Sequence, residues 1–134
     1  MCSKSSRNTP RLLSVLLGAF LIYSGSVWGA ETTAGNTIPV RGEVTLVDLG
    51  ADNCLPCRMM APIIADLQKA YQGKATIVFV DVYRESVKAK QFHAMVIPTQ
   101  IFYDRNSNEV YRHSGVMEKA EIVKQLDAML AKKG

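Results

Sequence analysis

Cysteine is scarce in this chain: three in 134 residues, two of them close together. A single pair of close thiols excludes a disulfide-stapled scaffold, which carries several pairs. Cys2 precedes the first apolar run, the wrong side of it for a lipidated cysteine. Charge of one sign is equally scarce. Lys4, Arg7 and Arg11 supply three of the four net positive charges, with no acidic residue among them. The rest of the chain holds 13 basic and 12 acidic side chains, a net of +1. That balance makes no electrostatic case for nucleic acid. Lys88/Lys90 and Lys132/Lys133 read as solvated faces. Only two histidines occur, His93 and His113, at irregular spacing from the cysteines. A tetrahedral zinc site draws on Cys and His ligands, and this spacing does not suit one, so no metal is expected. There is no internal repeat and no low-complexity stretch.

Residues 1–29 read as a targeting segment. A basic start (Lys4, Arg7, Arg11) precedes an apolar stretch from Leu12 to Tyr23, then small residues up to Ala30. Val27 and Gly29 suit the −3 and −1 sites of a signal peptidase, which places cleavage after Gly29. Cleavage after Ala30 would put bulky Trp28 at −3. The other reading is an uncleaved anchor, since Leu12 to Ala30 approaches the roughly 20 residues that span a bilayer. Its Ser- and Gly-rich second half favours cleavage. Either way the following domain lies outside the cytoplasm. Residues 30–43 read as a tether, with an edge strand over Thr37 to Arg41, and residues 44–134 as the folded domain.

Val44 to Ala51 is apolar and β-branched and reads as a buried strand, interrupted by Asp48. Cys57 to Gln72 reads as a helix: Met60, Ile63, Ile64, Leu67, Ala70 and Tyr71 recur at three- and four-residue steps. Pro62 removes one backbone donor and should kink it, and Gly73 ends it. Ala75 to Val82 is a second strand, with Ile77 to Val80 as a continuous buried run. Glu85 to Phe92 is a short helix. Thr99 to Asp104 and Glu109 to His113 form a hairpin around Arg105-Asn106-Ser107-Asn108. Glu118 to Lys132 closes the chain as a helix with Ile122, Val123, Leu126, Met129 and Leu130 on one face. This order needs one parallel crossover and one hairpin. The fold class is α/β, a central mixed β-sheet flanked by helices on both faces.

Cys54-Leu55-Pro56-Cys57 carries the chemistry. A strand running into C-x-x-C and then a helix is the layout of a dithiol–disulfide redox site. The first sulfur lies at a helix N-terminus, where unpaired N–H groups and the helix dipole favour an anion. The thiolate is the reactive form of cysteine. A static disulfide closing so small a loop would remove little chain entropy. Asp48 is costly to bury in an apolar strand unless it is paired or protonated, and desolvation should raise its pKa.

From Val44 to Leu130 the chain resembles the thioredoxin family. The matching residues are Val47-Asp48 before the first cysteine, C-x-P-C, Pro62, Ile97-Pro98-Thr99, Gly115 and the amphipathic closing helix. The resemblance implies the thioredoxin fold. It also implies that Cys54 attacks a substrate disulfide and that Cys57 resolves the mixed disulfide. Cys54 should then titrate below the free-thiol value of about 8.5. It implies that Asp48 lies behind Cys57 and exchanges its proton, that the bond before Pro98 is cis, and that Ile97 pairs with an extended substrate segment. Leu55 and Pro56 shape the loop between the sulfurs. Some positions depart from the family. Asn53 stands where a Trp is usual, and Gly50 where an aromatic is usual, so the surface beside Cys54 is less aromatic. The lysine often found near the buried Asp has no counterpart, with Ile77 at the corresponding strand position.

The function expected is an exported thiol–disulfide oxidoreductase that reduces protein disulfides in the periplasm, soluble after signal cleavage or tethered to the inner membrane. It is expected to work as a monomer without an organic cofactor. By resemblance, a membrane thiol-reductant transporter would recharge it. The alternatives are a disulfide oxidase or isomerase, and a thioredoxin-fold module that binds a partner or copper(I) through its thiolates.

Overall fold

The structure is a computed structural model and describes residues 37–132. The leader assigned to 1–29, residues 30–36 of the tether and the last two residues lie outside them. Seven elements follow in order: β1 (Val44–Gly50), α1 (Leu55–Ala70), β2 (Ala75–Asp81), α2 (Ser86–Lys90), β3 (Thr99–Tyr103), β4 (Glu109–Ser114) and α3 (Lys119–Ala131). They build one four-stranded sheet in the order β2-β1-β3-β4. β1 and β2 are parallel, and the other two pairings are antiparallel.

β1 is buried at all seven positions because it has a neighbour on each side and helices over both faces. Side chains alternate across a strand. Val44 and Leu46 pack with Met60, Ile64 and Leu67 of α1 and with Ile122, Leu126 and Met129 of α3. Val47 and Leu49 point the other way, to Phe92 and Ala89 beside α2. Two apolar clusters therefore sandwich the sheet. A fully enclosed side chain such as Leu67 contributes roughly 1.5–3 kcal/mol through burial. The same alternation puts Asp48 and Gly50 on the face covered by α1.

Some expected boundaries are corrected. α1 starts at Leu55, two residues before the start expected at Cys57, because Pro56 fits the first turn of a helix and Cys54 caps it. The helix runs through Pro62 as one element and ends at Ala70, capped by Tyr71, whose N–H donates to the Leu67 carbonyl at 2.9 Å. Gly73, with φ +74, then turns the chain into β2. Thr37–Arg41 is not an edge strand. Pro39 brings no donor to a ladder, and the Val40 N–H bonds instead to the Thr45 hydroxyl at 3.1 Å. Ile77–Val80 is not continuously buried either: β2 lies at the sheet edge, so Val78 is half-covered and Phe79 is exposed.

Candidate active site

Cys54 and Cys57 are joined by a disulfide with their Cα atoms 5.2 Å apart. Cys54 is the N-cap of α1, in extended backbone conformation, and its Sγ accepts the Cys57 N–H at 3.3 Å. Its carbonyl takes the Arg58 N–H at 3.0 Å. One orphan amide of the first turn, that of Cys57, thus points at this sulfur, and with the helix dipole it would favour negative charge there once the bond is reduced. The two sulfurs differ in access. Cys54 is half-buried, whereas Cys57 faces the sheet at 3% exposure. Leu55 and Pro56 between them are both exposed.

The sheet face on which Cys57 packs, against Gly50, carries a row of side chains. In register across the four strands lie Phe79, Asp48, Gln100 and His113. Asp48 is 1% exposed, and burial pushes its carboxyl up from 3.8 to about 6. The opposing influence is a hydrogen bond: Gln100 Nε2 donates to Asp48 Oδ1 at 2.8 Å. Asp48 Oδ2 and Gln100 Oε1 have no partner among the described residues. Gly50, two residues along β1, lets Cys57 approach. A Cβ on Gly50 would lie 3.2 Å from Cys57 Cβ, 3.5 Å from its Sγ and 2.8 Å from Phe79 Cε2. Cys57 and Phe79 also line a cavity of about 350 Å³ with Ala51, Arg58, Ala61 and Gln68.

The register brings Pro98 to the same end of the sheet. Thr99, the first residue of β3, pairs with Leu49, near the end of β1 that leads to Cys54. The Ile97–Pro98 bond is cis, Pro98 is buried and Ile97 half-buried. The Pro98 carbonyl accepts the Gly115 N–H at 2.8 Å, and the Thr99 hydroxyl donates to the Val96 carbonyl at 2.7 Å. These two bonds pin the turn before β3. Exposed apolar side chains flank it in sequence: Met95 at 94% and Val96 at 55%.

Residues 33–128 match the family model described as Thioredoxin. The chain is 35% identical over 91 residues to thioredoxins of Staphylococcus aureus and Staphylococcus haemolyticus, covering 68% of this chain and 86% of those proteins. The solved structure of Fasciola hepatica thioredoxin superposes with a TM-score of 0.59 at 27% identity, over 66% of this chain and 83% of that one. The chain belongs to the thioredoxin family. It has the thioredoxin fold and is a thiol–disulfide oxidoreductase acting through the Cys54/Cys57 pair on protein disulfides.

Within this thioredoxin fold two departures look different from how they read in the sequence. The residue of β2 beside Asp48 is Phe79, not Ile77, which pairs with Leu46. Gly50 is not part of an exposed surface; it is buried behind Cys57, where Phe79 takes up room that a large residue at 50 would need. Gln100 was not singled out by the sequence. The available signal was an amide in the apolar run Thr99–Tyr103, but only the β1–β3 register shows that it meets Asp48.

Proposed function

We propose that this protein is an exported reductase of protein disulfides, working as a monomer in the periplasm. The observation that carries the reductase reading is the asymmetric pair: an accessible sulfur at the cap of α1, and an enclosed one packed on the sheet face that also holds a buried carboxyl of raised pKa. In the reduced protein the Cys54 thiolate attacks a substrate disulfide. A Cys54–substrate S–S bond forms, and the first substrate sulfur leaves with its electron pair and is protonated. Asp48 then takes the proton of the Cys57 thiol. The Cys57 thiolate attacks Cys54 Sγ, the mixed disulfide breaks, and the second substrate sulfur leaves as a thiolate. The substrate gains two electrons and the pair becomes the disulfide present in this structure. Ile97 and Pro98 would align an extended substrate segment beside Cys54, and Leu55 and Pro56 would contact it. A membrane thiol-reductant transporter would return the two electrons.

The leader supports the address. A basic, apolar and small-residue succession is that of an export signal. The test is insulin reduction by the reduced protein, with Cys54→Ser as control, together with the potential of the pair against glutathione. The reading expects wild-type activity, complete loss in Cys54→Ser, and a potential near the reducing end, about −270 mV. A potential near about −120 mV would instead make it an oxidase. An inert wild type that retains copper(I) would make it a binding module.

A further inference from the structure

We propose that Gln100 is a positioning residue of the proton-transfer site, holding the Asp48 carboxyl by one oxygen so that the other, Oδ2, exchanges the proton with Cys57. The inference rests on the proton-acceptor role given above to Asp48. Gln100 is an amide where packing calls for none. It is 0% exposed, and its neighbours Ile101 and Phe102 are fully buried apolar residues. Burying an amide is unfavourable unless its polar atoms are bonded. Among the described residues Gln100 makes one side-chain bond, from Nε2 to Asp48 Oδ1 at 2.8 Å. The amide is therefore spent on Asp48 alone. That bond also fixes which way the amide faces, since the flipped rotamer would set two acceptors against each other.

The consequence for Asp48 is directional. With Oδ1 occupied by a donor, Oδ2 is left unpartnered and is the atom free to take a proton. A hydrogen bond to a carboxylate favours its charged form. Gln100 thus keeps Asp48 able to accept a proton near neutrality, in a site that burial alone would push further toward the neutral acid.

Among the described residues no other group donates a hydrogen bond to the Asp48 carboxyl. On β2 the register partner is Phe79, which has no charge. The buried residues of α1 are Cys57, Met60, Ile64 and Leu67; Cys57 is held in the disulfide and the others carry no charge. Those of α3 are Ile122, Leu126 and Met129. His113 lies in the same row, beyond Gln100 on β4, and its Nε2 is 3.3 Å from the Val116 carbonyl. Burial and the Gln100 bond are the influences that set Asp48.

The test uses the full chain. Gln100→Leu removes the donor and keeps the volume. The acid limb of insulin reduction against pH should move up by about one pH unit or more, while the midpoint for alkylation of Cys54 stays in place. Adding Gln100→Leu to Asp48→Asn should change nothing further. A folded Gln100→Leu protein with an unmoved limb overturns the proposal. A second measurement needs no variant and no activity. In the oxidised wild type, where Cys57 carries no proton, the Gln100 side-chain amide resonances should titrate with the midpoint of the Asp48 carboxyl carbon. Amide signals that stay fixed across that midpoint overturn the proposal, even if the variant cannot be folded. A wild type that fails to reduce insulin would count against the catalytic reading, and the amide titration would still decide whether Gln100 acts on Asp48.

Discussion

At the scale of single residues, the site trades stability for a proton acceptor. The folded Asp48 titrates at about 6, above its ordinary 3.8. Between those values the folded state holds a proton that the unfolded chain has lost, so stability falls as pH rises through that window. The deficit at neutral pH is ~3 kcal/mol at most. Asp48→Asn should therefore be more stable than the wild type at pH 7, with the difference shrinking toward pH 4. Urea unfolding of both proteins across that range checks the sign, and a variant less stable at neutral pH would refute it. Gly50→Ala tests the close approach of Cys57. The added Cβ meets Phe79 Cε2 at 2.8 Å and Cys57 Cβ at 3.2 Å. Phe79 is partly exposed and can swing aside, whereas a Cβ atom within α1 cannot. The loss should be ~1 kcal/mol, the low end for overpacking. Phe79→Leu in the same chain should recover part of it by denaturant titration. Asp48 was legible because an acid inside an apolar run is conspicuous. Gln100 and Phe79 were not, because their meaning lies in strand register, and one residue of slip changes every partner.

At the scale of elements, amphipathic spacing and the cysteine cap made α1 and α3 readable, and turn residues made the β3–β4 hairpin readable. What spacing does not reveal is strand order. An apolar run such as Ile77–Val80 suits a central strand and an edge strand alike, and only the β2-β1-β3-β4 order exposes Phe79. Likewise Thr37–Arg41 has strand-like residues, but Pro39 and a competing bond to Thr45 keep it irregular. One contact between elements is open to direct measurement. The Tyr71 hydroxyl, at the C-terminal end of α1, donates to Asp127 Oδ1 of α3 at 2.8 Å. Burial and the adjacent carboxylate push its phenol up to about 12. Tyr71→Phe and Asp127→Ala should each lower stability by ~0.5–1.5 kcal/mol. The double variant should lose less than the sum, because both single changes break the same bond. Strict additivity would show that the bond holds nothing between the helices.

At the scale of the whole molecule, the question is where this oxidoreductase works, because the surroundings decide what can reduce Cys54–Cys57 again. Among the described residues no helix is long and apolar enough to cross a membrane. Lys4, Arg7 and Arg11 carry most of the chain's charge excess and precede the apolar stretch, the polarity that orients an export signal. Without them the domain is close to neutral, and its exposed apolar side chains include Leu55 and Met59 next to the cysteines in sequence and Met95 and Val96 just before Pro98. In a bacterial host the chain should appear in the osmotic-shock fraction with an N-terminus at Ala30, read by mass spectrometry of the intact protein. Replacing Lys4, Arg7 and Arg11 with Glu should hold the full-length chain in the cytosol, since the basic start is what the export machinery reads. Full-length protein in the washed membrane fraction would favour the uncleaved anchor. Full-length wild type in the cytosol would overturn export altogether, while leaving the chemistry of Cys54 and Cys57 intact.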